Sequence, residues 1–153
     1  MSDTSFPLDN SEKRENFAWF LRIPTRWIDN DMYGHMNNAK YYSLYENLIM
    51  TYLEQESGLD TGSGAIRCFT AENGCRYHAP LKYPQIVDAG LRIARIGNSS
   101  VRYEMGLFAE GSDAVAATGF VVDVYVDAET ERPVRVPDDF REALSRCIVP
   151  SLK

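Results

Sequence analysis

Cysteine, histidine and excess basic charge are all scarce in this 153-residue chain, and each scarcity removes a class of chemistry. Three cysteines, Cys68, Cys75 and Cys147, are an odd number without metal-like spacing, and two histidines add no ligand cluster. No metal is expected, and the thiols read as reduced in a cytoplasmic protein. Lys and Arg number 16 against 22 Asp and Glu, a net charge of −6. That balance excludes generic binding to nucleic acid or to an anionic membrane, although a local pocket for one small anion remains open. No apolar run approaches the roughly 18 residues of a membrane span. The opening MSDTSFPLDNSEKREN lacks the basic start and apolar stretch of a signal peptide. G-x-x-x-x-G-K, G-x-G-x-x-G and G-x-S-x-G are all missing, so nucleotide hydrolysis, hydride transfer and serine-hydrolase chemistry have no support, and no cofactor is expected.

What is present is an ordinary globular composition, 44% hydrophobic, enough for one core. Residues 1–16 are polar and expected to be poorly ordered, leaving a single domain over 17–150. Leu21, Ile23, Thr25 and Trp27 alternate with polar residues and predict a half-buried strand, which Pro24 places at a sheet edge or bulge. The polar turn Asp29–Asn38 follows. From Ala39 the positions Tyr42, Tyr45, Leu48, Ile49, Tyr52 and Leu53 recur at helical steps, with Asn37 or Asn38 as cap and Gly58 as stop. About twenty residues at 1.5 Å each make a rod of roughly 30 Å. Leu44 and Met50 fall off that stripe, so neighbours should wrap the helix on more than one side. Ala65–Ala79, Gln85–Ile96, Ser99–Ala109 and Ala114–Val126 predict four strands joined by hairpin-length turns. Phe140, Leu144 and Ile148 predict a short final helix from Asp138. The expected fold is α+β, an antiparallel five-stranded sheet wrapped around one long central helix. Its open edges predict self-association.

Chemistry concentrates where the polar turn opens into the long helix. A helix N-terminus offers free N–H donors that can hold an oxyanion, and a nearby carboxylate can activate water or attack directly. Asp29 and Asp31 supply carboxylates. The plainer alternative is that both only shape the turn and cap the helix.

The segment Arg26-Trp27-Ile28-Asp29-Asn30-Asp31-Met32-Tyr33-Gly34-His35-Met36-Asn37-Asn38-Ala39-Lys40-Tyr41-Tyr42 resembles the hotdog-fold thioesterases of the 4-hydroxybenzoyl-CoA thioesterase family. Tyr77-His78-Ala79-Pro80-Leu81-Lys82-Tyr83-Pro84 extends the likeness, as does the order of elements over residues 18–145. The resemblance implies a hotdog fold and hydrolysis of an acyl-CoA to free acid and CoA. It makes Asp31 the catalytic base or nucleophile, Gly34 the tight turn beside the thioester, and Asn38 the oxyanion donor through its backbone N–H. His35 matches a histidine of carrier-protein thioesterases and would orient water or contact substrate. Tyr33 replaces an Asn of those enzymes, which favours CoA over a carrier protein. Asp29 reads as structural and His78 as a packed strand residue. Glu46, on the helix, is the rival base of one hotdog subclass. Lys82, Arg95, Asn98, Ser99 and Ser100 are the implied contacts for CoA phosphates. The resemblance also implies a homodimer or homotetramer with its site at a subunit interface.

Two other activities fit the same fold. An enoyl-CoA hydratase or dehydratase pairs Asp with His at a different spacing, commonly with Pro between them, which Asp31–His35 lacks. A non-catalytic acyl-CoA-binding module has no use for Asp31.

Overall fold

The computed structural model describes residues 8–57 and 64–149. Five strands, β1 (Trp19–Pro24), β2 (Ile66–Tyr77), β3 (Ile86–Ile96), β4 (Ser100–Ala109) and β5 (Val115–Asp127), form one antiparallel sheet in the order β1-β3-β4-β5-β2. Helix α1 (Lys40–Tyr52) lies on its inner face and α2 (Asp138–Ser145) follows the last strand. This is the hotdog arrangement, with both turn-linked hairpins as expected.

Alternation builds the core. Val101, Tyr103, Met105 and Leu107 of β4 all point inward and are fully buried. They meet Tyr45, Leu48, Ile49 and Tyr52 of α1. The buried stripe also takes in Tyr41 and Leu44, while Tyr42 is only half-buried, so the helix is rotated slightly from its expected setting. Gly119 lets the helix approach, since a Cβ there would stand 2.5 Å from the Tyr45 ring. The expected twenty-residue rod is thirteen α-helical residues followed by a five-residue π-helical turn, Leu53–Ser57. The expected stop at Gly58 lies outside the described residues.

Three expectations change. Strand β1 ends at Pro24 and a 3-10 turn begins at Trp27, so alternation stops and Trp27 is 78% exposed instead of facing the core. Helix α2 ends at Ser145, which leaves Ile148 outside its stripe and exposed. Glu104, on the face of β4 opposite Tyr103 and Met105, is buried at 2% exposure because the segment preceding β1, expected to be poorly ordered, covers the outer face. There Arg92, 1% exposed, pairs with Glu12 at 2.8 Å and Glu104 at 2.9 Å. Asn16 donates to Glu12, and Arg92 stacks on the Phe17 ring. The polar stretch before Phe17 is therefore packed from Leu8 onward.

Candidate active site

The turn between β1 and α1 is held by its own side chains. Asp29, 4% exposed, accepts the Arg26 backbone N–H at 2.7 Å and the Arg26 guanidinium at 2.9 Å. Its carbonyl accepts the Asn37 N–H at 2.8 Å. Asn30 accepts the Tyr83 N–H through Oδ1, and Met36 donates to the Leu81 carbonyl at 2.7 Å. The turn is thus clamped to the 81–83 segment, and Asp29 is fully spent on this task.

Asp31 is not. Its N–H donates to the His35 carbonyl and its own carbonyl accepts from Gly34, which closes a tight loop. Gly34 sits at φ +80°, the left-handed region that favours glycine. The Asp31 carboxylate accepts only the Tyr33 N–H, at 2.9 Å, and has no ion pair among the described residues. Beyond the loop, Ala39 donates to Asn37 Oδ1 and Tyr41 to the Asn38 carbonyl. The Asn38 N–H makes no hydrogen bond among the described residues. An open hollow of about 330 Å³ faces this helix start, lined by His35, Asn38, Tyr41 and Tyr77. Tyr77 donates its hydroxyl to the Asn38 carbonyl at 3.2 Å, fixing that peptide in place.

The expected residues fall into two groups. Asp31, Gly34, His35 and Asn38 share one loop, and Lys82 is exposed on the neighbouring turn, its N–H held by Gln85. Arg95, Asn98, Ser99 and Ser100 lie at or just beyond the far end of β3, an eleven-residue strand whose Ile86 end is the one beside the loop. One chain does not bring these groups together. The β3–β4 turn is instead tied to the C-terminal region, with the Asn98 carbonyl accepting from Val136 and Arg141. His78 lines the same hollow as Asn38, and its ring is held by Thr118. Thr118 gives its hydroxyl proton to the Leu8 carbonyl, so His78 Nε2 must donate to Thr118 across 2.9 Å. Burial pushes the His78 pKa down, keeping the ring neutral.

Glu46 stands apart from the loop and faces a second cavity of about 340 Å³ between α1 and β2. Asp123, on β5, faces the same cavity and stands in the strand between the apolar Val122 and Val124. Its one signal was parity, since it falls in step with inward Val121 and Tyr125. Burial pushes the Asp123 carboxyl up, against the Thr70 and Cys68 side chains that favour its charge. Burial, and then Asp123, push Glu46 up as well. A wider hollow of about 610 Å³ lies on the outer face and holds none of the loop residues. Arg102 there is stacked on Phe120 and paired with Glu104.

The model of the thioesterase-like superfamily matches residues 24–144. The PA5185 protein of Pseudomonas aeruginosa is similar, at 41% identity and a TM-score of 0.88, over 92% of this chain and 98% of that one. A thioesterase from Thermus thermophilus, solved with coenzyme A and Zn, shares 30% identity at a TM-score of 0.72, over 85% and 93% of the two chains. YsmA of Bacillus subtilis is 24% identical over 134 residues, 87% of this chain and 89% of its own.

Proposed function

The chain belongs to the thioesterase-like superfamily and is a thioester hydrolase, and on that premise we propose that its substrate is an acyl-CoA and Asp31 its catalytic carboxylate. The observation that carries this reading is the uncommitted N–H of Asn38 at the start of α1, on the same loop as Asp31, whose carboxylate accepts one hydrogen bond, from Tyr33. A thioester carbonyl in the hollow accepts from that N–H, and the helix end favours the negative charge that develops on its oxygen. Asp31 then either takes a proton from a water that adds to the carbonyl carbon, or attacks that carbon itself and expels the thiolate, leaving a mixed anhydride that water then hydrolyses to the free acid and free Asp31. In both routes the C–S bond breaks, the electron pair leaves with CoA sulfur, and a proton from the attacking water ends on the thiol. The coenzyme A bound to the Thermus relative supports CoA as the thiol.

The reading requires a second copy. Strand β2 is a twelve-residue edge with Ile66, Phe69 and Tyr77 exposed, whereas β1, the other edge, has six residues and ends in Pro24. Symmetric antiparallel pairing of β2 with its copy sets the Tyr77 end of one against the Ile66 end of the other. The β3–β4 turn, on the Ile66 side of its own sheet, then comes to the same end as the other copy's Asp31 loop. Arg95 and Ser99 of one chain serve CoA whose thioester is cleaved by the other.

The deciding experiment is thiol release from a panel of acyl-CoA esters, followed beside enoyl absorbance. Thiol appearance without loss of an enoyl signal is expected. Hydration of enoyl-CoA, or binding of every ester without turnover, overturns the assignment.

A further inference from the structure

The cavity between α1 and β2 holds two acids that the hydrolytic step does not use. Asp123 is 7% exposed and lies opposite Thr70, whose hydroxyl donates to its Oδ1 at 2.9 Å. Glu46 enters the same cavity from α1. Neither acid belongs to an ion pair among the described residues. Tyr125, 3% exposed, lines the cavity too, and its buried hydroxyl has no hydrogen-bond partner among the described residues. The cavity is also lined by Met50, Leu53 and Phe140, the Phe140 ring 5.5 Å from that of Tyr125, and by Cys68 and Arg67, the latter paired with Val126 and so on the strand face opposite that of Thr70.

Two carboxylates are a poor lining for a hydrocarbon tail, because an apolar group would strip their water and return nothing. A positive charge answers both, and the aromatic rings add the attraction of their faces for a cation. We propose that this cavity is the acyl subsite and takes an acyl group whose far end carries an ammonium or quaternary ammonium nitrogen. The proposal rests on the acyl-CoA hydrolase reading and names its substrate class.

The path to the cavity crosses the dimer. Within one chain, the Tyr45 hydroxyl meets the Cys75 thiol at 3.1 Å, and this contact stands between the Asn38 hollow and the acidic cavity. Pairing of β2 strands instead lays the Ile66–Thr70 wall of one copy beside the Tyr77 end of the other, so a thioester held at one helix start sends its acyl group into its partner's cavity.

The test uses an isosteric pair, a trimethylammonio-acyl-CoA and its tert-butyl counterpart in which carbon replaces nitrogen, at two acyl lengths. The cationic ester should be favoured at least about tenfold in kcat/KM, a typical worth for an enclosed cation. Asp123→Asn should erase that preference by slowing the cationic ester relative to the neutral one. Equal or faster cleavage of the neutral ester by the unaltered protein overturns the cation site and leaves the hydrolase intact. An equal loss on both esters in Asp123→Asn likewise overturns it. Absence of thiol release from every ester ends the hydrolase reading, and calorimetric binding of the same pair then decides the cavity by itself: preference for the cation supports it, no preference overturns it. Preference for a hydroxyl-tipped ester over the cation also counts against it.

Discussion

Positions 29 and 31 carry the same side chain in opposite circumstances. Asp29 is buried and fully bonded, so Asp29→Asn should cost stability of about 1–2 kcal/mol, the usual worth of such a bond, read as a lower midpoint in urea with turnover retained. Asp31 leaves most of its carboxylate unused, so Asp31→Asn should keep the unfolding midpoint and lower kcat by at least about 10²-fold. A folded but inactive Asp29 variant beside an active Asp31 variant would reverse the two roles. Asp123 gives a pH test. Burial raises its folded pKa, so its contribution to stability is greatest when it is protonated and is lost as pH rises through that raised value. Asp123→Asn should therefore raise the melting temperature at neutral pH, and the gain should shrink as pH falls toward the ordinary carboxyl value of 3.8. A loss of stability at neutral pH would mean that the charged form is the favoured one. The acidic loop was legible because a glycine, two acids and three asparagines within ten residues favour turns over strand. Asp123 was not, because one acid in an apolar run tells nothing of a cavity until the facing helix is in place.

The elements were legible wherever a period repeats. Strands β2 to β5 fall within two residues of their expected limits, because inward and outward residues alternate over ten or more positions. Failures came where the period is short or where another segment changes what outward means. Trp27 continued an alternation by one residue more than Pro24 and the 3-10 turn allow. Glu104 kept its outward parity and was still buried, because Glu12 and Phe17 come from a segment whose composition reads as solvated. That burial is held by charge. Glu12→Gln would leave Arg92 short of one carboxylate in a dry site, and removal of one partner from such a network costs about 3–5 kcal/mol. Urea unfolding should show that loss while thiol release by the folded protein stays normal, since the network lies on the face away from the Asn38 hollow. Stability near that of the unaltered protein would mean the segment adds nothing to the sheet.

Across the whole molecule, the residues expected to serve one site are split between opposite ends of one sheet, and the proposed two-fold partner is what would reunite them. Open edges were legible in the sequence but the choice between them was not, since an edge is defined by which strands remain unpaired. The structure makes the choice physical. Strand β2 presents a long row of unpaired backbone groups with exposed aromatics, a surface that invites another strand. Phe69, 46% exposed near the middle of that row, is the place to interfere. Phe69→Lys puts a charge on the edge in each copy, which strand-to-strand pairing would have to cover. Sedimentation should then show a monomer at micromolar concentration. Circular dichroism should keep its shape, because Phe69 is half exposed and lies outside the buried core. Turnover should fall by roughly 10²-fold, the scale of a site whose parts are no longer positioned. If the variant sediments as a monomer and still cleaves thioesters at the original rate, each chain holds a complete site, and the separation of Asp31 from Arg95 and Ser99 then means that the β3–β4 turn has no part in binding CoA.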